Sequence, residues 1–64
     1  MKNYSSKEIL KILKQDGWYI HSIKGSHHQL KHEYKKGRVT LPHPKKSLPA
    51  QTVKSILKQA GIEI

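Results

Sequence analysis

Cysteine is absent from this 64-residue chain, so disulfide staples and thiolate metal sites are both excluded. Acidic side chains are scarce as well: four Asp and Glu stand against thirteen Lys and Arg, a formal charge of +9. A nuclease that clamps two metal ions needs several converging carboxylates, which four acids spread along the chain do not offer. No apolar run exceeds three residues, far short of the roughly 20 that span a bilayer. No apolar leader-like run follows Met1 either. The expectation is a cytoplasmic protein that does not enter the membrane.

Sixty-four residues are expected to make one domain, 1–64, with a thin core that gains from a partner. The excess of cations speaks to what that partner is. A membrane surface calls for a basic helix with a free apolar face, whereas the apolar stripes here are needed for the core. Nucleic acid fits the sign and size of the charge, and phosphate neutralisation makes such binding steeply salt-dependent. An acidic protein fits the same charge.

Ser5-Ser6-Lys7-Glu8 matches a capping box. Behind it, Ile9, Leu10, Ile12 and Leu13 recur at helical spacing, and Gly17 is placed to end the helix in a left-handed cap. A first helix is predicted over about 6–16. Trp18 to Lys24 is rich in strand formers, and Gly25-Ser26 is a tight hairpin turn. A second strand is predicted from His27 to Lys35, a turn at Lys36-Gly37, and a third strand from Arg38 to Leu41 that Pro42 stops. Pro49 suits the first position of a last helix. Val53, Ile56, Leu57 and Ala60 form its apolar stripe, and Gly61 ends it. The fold class is therefore α+β, in the order α-β-β-β-α, with a three-stranded antiparallel sheet and both helices on one face.

Five histidines provide the candidate chemistry, because imidazole alone both takes and gives protons near neutrality with an unperturbed pKa of about 6.5. Strand alternation separates the adjacent pair His27 and His28. His28, Leu30, His32 and Tyr34 share one side, expected to face the helices. His27, Gln29, Lys31 and Glu33 share the other, open to solvent, unless a bulge near Gly25 reverses the register. A metal is not expected, since His28 and His32 lie about 13 Å apart along one strand and no carboxylate accompanies them. Ser26 and Ser47 lack the strand-turn-helix context of a nucleophilic serine.

Metal-free RNA cleavage needs less equipment. A neutral imidazole removes the proton of a ribose 2′-hydroxyl, which attacks the adjacent phosphorus. A cation stabilises the charge that develops there. Lys24, Lys31, Lys45 and Lys46 are candidates for that cation or for substrate binding, with Ser26 beside them in the turn. A non-catalytic RNA binder accounts for the same composition, as does an adaptor for an acidic protein.

Asp16-Gly17-Trp18, Gly25-Ser26-His27-His28, Val39-Thr40-Leu41-Pro42-His43-Pro44-Lys45-Lys46, Leu48-Pro49, Thr52-Val53-Lys54-Ser55-Ile56 and Gln59-Ala60-Gly61 occur in this order. Together they resemble the HicA family of toxins across nearly the whole chain. The resemblance implies a fold similar to a double-stranded RNA-binding domain. It also implies an endoribonuclease that cleaves mRNA without metal or other cofactor, an mRNA interferase of a type II toxin–antitoxin pair. The catalytic histidine it implies is the one after the Gly-Ser turn, His27, as general base, with Gly25 and His28 in supporting roles. A HicB-type antitoxin, expected to be acidic, would cover the active site, and the toxin alone is expected to be monomeric. Leu30 departs from the family, whose members often carry Phe there. The alternative of the same fold is a non-catalytic module that binds double-stranded RNA, which would not need His27. Pro42 and Pro44 hold His43 in a rigid loop, where it reads as an anchor or phosphate contact, and Lys45-Lys46 lies beside a helix start whose amides favour anions.

Overall fold

The computed structural model describes residues 3–63; Met1, on which the leader expectation falls, lies outside the described residues. Helix α1 (Ser6–Gln15) is followed by strands β1 (Trp18–Lys24), β2 (His27–His32) and β3 (Val39–Pro42), and by helix α2 (Ala50–Ala60). The strands form one antiparallel sheet in the order β1-β2-β3. This is the expected α-β-β-β-α order.

The capping box forms as the residues dictate. Ser5 Oγ accepts from the Glu8 amide at 3.2 Å, and Glu8 Oε1 accepts from the Ser5 amide at 3.1 Å. At the other end of α1, Gly17 takes φ of 102° and turns the chain into β1, a conformation that costs any residue with a Cβ. At the hairpin tip Gly25 takes φ of 58°, which makes the two-residue reversal into β2 possible.

One core lies between the sheet and the helices. Ile9 and Leu13 from α1 meet Val53, Ile56, Leu57 and Ala60 from α2 over Trp18, Leu30, Val39 and Leu41 of the sheet. Because residues of both helices join one cluster with the same sheet face, both helices cover that face. Each fully buried aliphatic side chain contributes about 1.5–3 kcal/mol of transfer free energy. No helix among the described residues is long and apolar enough to cross a membrane.

Three elements, β2, β3 and α2, differ from expectation at their ends. Strand β2 stops at His32 rather than Lys35 because His32 Nδ1 accepts the amides of Tyr34 and Lys35, at 2.9 and 3.1 Å, which turns the backbone out of the ladder. Tyr34, expected on the core side, is consequently 83% exposed. Strand β3 begins at Val39 and includes Pro42, which an edge strand tolerates. Pro49 keeps an extended ψ of 145° and caps α2 from outside rather than opening its first turn. The preceding residue holds it there, since the Leu48 amide donates to the Tyr4 carbonyl at 2.7 Å.

The sheet carries one bulge, on β1 rather than near Gly25. Ile20 pairs with Leu30 and Ser22 with Gln29, leaving His21 unmatched. Strand β2 pairs without interruption, so its alternation survives. The bulge brings Ile20 and Ile23, three residues apart, to the same face.

Candidate functional site

Cross-strand pairing fixes the two faces, since opposed residues share a side. His28 is opposite Ile23 and Leu41, and Leu30 is opposite Ile20 and Val39; these side chains lie on the helix side of the sheet, with Ile23 at its open edge, 56% exposed. His27 is opposite Lys24 and Pro42, and Gln29 is opposite Ser22 and Thr40; these face outward. The adjacent imidazoles thus point to opposite sides, as strand alternation requires.

His27 is exposed and makes no hydrogen bond or ring contact among the described residues. It opens onto a shallow groove. One wall is the outer sheet surface at Thr40 and Pro42, and the other is the flank of α2 with Pro49, Gln51, Thr52, Ser55 and Gln59. The groove exists because β3 is an edge strand and α2 packs along it. Pro49 lends α2 no side-chain cap, so the amides of its first turn bring positive potential to this groove.

The other histidines are engaged. His32 Nε2 donates to the Asp16 carbonyl at 2.7 Å, and its ring meets Trp18 edge-on at 5.2 Å. His43 Nδ1 and Ser6 Oγ share a 2.7 Å hydrogen bond. His28 is half-buried and stands edge-on to His43 with ring centroids 4.9 Å apart. Its Nδ1 is buried with no hydrogen-bond partner among the described residues. The His43 amide donates to the Ser26 carbonyl at 2.8 Å, which ties this pair to the hairpin tip. His21 stands apart from all of these, exposed on β1, the edge strand away from α2.

Of the lysines named from sequence, Lys24 is the one paired across from His27. Lys31 shares the outward face but pairs with Tyr19 near the opposite end of β2. Lys45 and Lys46 do not join the groove. They lie beside α1, not α2: the Lys45 carbonyl accepts the Ser6 amide at 2.9 Å, and the Lys45 amide donates to Ser6 Oγ at 2.7 Å. Lys7, Ser5, His43 and Pro44 complete that separate surface. The capping box already occupies the first-turn amide of Glu8 there, so the anion attraction expected of a bare helix start is weakened.

Two arrangements lie outside the sequence expectations. Ser6, 1% exposed, bonds to both His43 and Lys45 and so joins α1 to the loop before α2. Its only trace in the sequence is a second serine behind the capping one. The α2 wall left a clearer trace: Gln51, Ser55 and Gln59 stand four apart, uncharged, in a chain crowded with lysine.

Among the described residues no three His, Asp or Glu side chains converge to hold a metal. Two acids are committed elsewhere, Glu8 to its capping box and Asp16 to Lys35 Nζ at 2.6 Å. The family model for the HicA toxin of bacterial toxin–antitoxin systems matches residues 6–62. A chain in a solved toxin–antitoxin complex from Streptococcus pneumoniae is similar in structure, with a TM-score of 0.75 and 30% identity. The match covers 91% of this chain and 97% of that one. No curated protein matches the sequence.

Proposed function

The chain belongs to the HicA toxin family, and we propose that it is a metal-independent endoribonuclease in which His27 is the general base. One observation carries the reading: His27 is the histidine that is both unengaged and set in a groove, whereas His28, His32 and His43 are spent on packing or hydrogen bonds. A base must reach its substrate's proton, and an exposed imidazole at a groove mouth does so.

His27 takes the proton of a ribose 2′-hydroxyl as that oxygen bonds to the adjacent phosphorus. The bond to the 5′-oxygen breaks, and the leaving oxygen takes a proton from water, to which the groove is open. The products are a 2′,3′-cyclic phosphate and a 5′-hydroxyl. Lys24, on the neighbouring strand and the same face, offsets the negative charge that gathers on the phosphoryl oxygens. Ser26 and Gly25 set the turn that presents both. His28 acts from the other side of the sheet by holding the hairpin tip against His43.

The partner that restrains this activity is a HicB-type antitoxin. The likeness to a chain of a toxin–antitoxin complex and the charge of +9 support an acidic protein seated over the groove. The substrate is mRNA and the compartment the cytoplasm.

The test is incubation of the purified protein with RNA in excess EDTA, with His27→Ala and His28→Ala in parallel. Cleavage persists in EDTA and falls about 100-fold or more in His27→Ala, the scale of a lost general base. In His28→Ala it is retained in part. Full cleavage by His27→Ala removes it as the base; a requirement for divalent metal, or product strands ending in a 3′-hydroxyl, overturns the mechanism.

A further inference from the structure

We infer that the α2 wall of the groove reads nucleobases: Gln51, Ser55 and Gln59 hydrogen-bond the edges of unpaired bases next to the phosphate held at His27. This rests on the His27 reading above and names the substrate form, single-stranded RNA, and the residues that set its base preference.

The first support is a local absence of charge. Thirteen Lys and Arg are spread over 64 residues, yet apart from His27 no ionisable side chain lines the groove. A surface meant only to grip phosphate would be lined with cations, which bind every sequence alike. Lysines are present on α2, but Lys54 and Lys58 border a different depression with Gly61, Ile62 and Glu63. The helix therefore keeps its cations off the His27 flank and places amides and a hydroxyl on it.

The second support is availability. Gln51, Ser55 and Gln59 are exposed, and none makes a side-chain hydrogen bond among the described residues. Each Gln offers two donors and an acceptor, the mixture that base edges present and that phosphate, an acceptor only, does not. Glutamine matches adenine through a paired donor and acceptor.

Spacing supplies the third. Residues four apart stack along one helix flank, and the row from Gln51 to Gln59 extends about 12 Å. That is room for more than one base. Across the groove Pro42 and Thr40 offer a wall against which a splayed base packs. Duplex RNA keeps its base edges paired and its major groove too narrow for side chains, so the ligand is single-stranded.

The test measures binding apart from cleavage. Labelled single-stranded octamers of A, C or U with 2′-O-methyl ribose, which cannot attack, are titrated against the chain by fluorescence anisotropy. Gln51→Ala, Ser55→Ala and Gln59→Ala are compared, with circular dichroism to confirm folding. The unaltered chain is expected to separate the octamers by about tenfold in Kd, and Gln59→Ala or Gln51→Ala to narrow this to less than about threefold. The slope of log Kd against log salt stays the same, because the variants neutralise as many phosphates as the unaltered chain. Among these titrations, three results overturn the inference: equal affinity for all octamers, a uniform loss of affinity in the Gln variants, or tighter binding of duplex RNA that the variants leave unchanged. A Gln effect on antitoxin binding without one on RNA overturns it too. If the base preference holds while His27→Ala still cleaves, the catalytic assignment fails and the base reading stands.

Discussion

Lys35 Nζ lies 2.6 Å from Asp16 Oδ2 and donates as well to the Ala60 carbonyl at 3.0 Å, so one ammonium joins the end of α1 to the end of α2. Asp16 also accepts from Trp18 Nε1 at 3.2 Å. The hydrogen bond from Lys35 is the main reason that the Asp16 carboxyl titrates below its ordinary 3.8. Desolvation opposes it, and the charge of Lys35 and the Trp18 bond add to it. Both partners are about one-third exposed, at 36% and 33%, so water screens the pair.

The sign of the pH dependence follows. A carboxylate with a depressed folded-state pKa contributes stability that is fully present above its unfolded value, near 3.8 here, and is lost as the pH falls through the lower folded value. Asp16→Asn should therefore lower Tm at neutral pH, with the difference between the two proteins shrinking as the pH falls below 3.8 and through the lower folded-state value. Thermal denaturation across that range checks it. A Tm difference that is constant with pH would mean the carboxylate charge contributes nothing.

Gly17 and Gly25 both have positive φ, yet their surroundings separate them. A Cβ on Gly17 would lie 2.7 Å from His32 Nε2, the atom that donates to the Asp16 carbonyl; a Cβ on Gly25 would meet nothing within 4 Å. Gly17→Ala is expected to cost about 2–4 kcal/mol, combining backbone strain with the displaced His32 bond. Gly25→Ala carries the strain alone, about 1–2 kcal/mol. Urea unfolding of the two variants measures the difference, and equal losses would show that His32 moves aside freely.

How much of this is legible in the sequence depends on whether a feature is local. The capping box, the glycine after α1 and the hairpin at Gly25-Ser26 are set by residues within a few positions of each other, and each stands where the sequence places it. The bulge at His21 is a property of the pairing between β1 and β2, and no pattern within β1 announces it. The end of β2 depends on which backbone amides His32 Nδ1 captures. For the site, alternation suffices to face His27 outward, but its opposite wall needs the position of α2 beside β3. Lys45 and Lys46 precede α2 in sequence, which suggests that they flank its start; Ser6 draws their loop to α1 instead.

Ser6 sits where that loop and α1 meet, so its removal reports on the junction. Ser6→Ala leaves the Lys45 amide and His43 Nδ1 without their 2.7 Å partner and is expected to cost about 2–4 kcal/mol, the scale for two buried polar groups. RNA cleavage measured well below the lowered Tm should be nearly unchanged, because Ser6 does not line the groove of His27. A loss of turnover larger than the loss of folded protein would place the α1 junction inside the catalytic site.

Lys24 and the Lys45–Lys46 pair separate the two cationic surfaces. Lys24 is opposite His27 and shares its face, so in the reaction proposed above Lys24→Ala removes charge beside the reacting phosphoryl group. Turnover at saturating RNA should fall about tenfold or more, less than for a buried oxyanion donor because this site is open to water. Lys45 and Lys46 lie with Lys7 at the start of α1, outside the groove. Replacing both by Ala should weaken binding of every RNA similarly and reduce the salt slope by about 1 for each phosphate no longer neutralised, leaving saturated turnover within about twofold. Single-turnover kinetics at several salt concentrations, with enzyme above Kd, separate the two effects. If Lys24→Ala turns over normally while the double variant does not, the reacting phosphate lies over the start of α1, and His43, not His27, is the imidazole beside it.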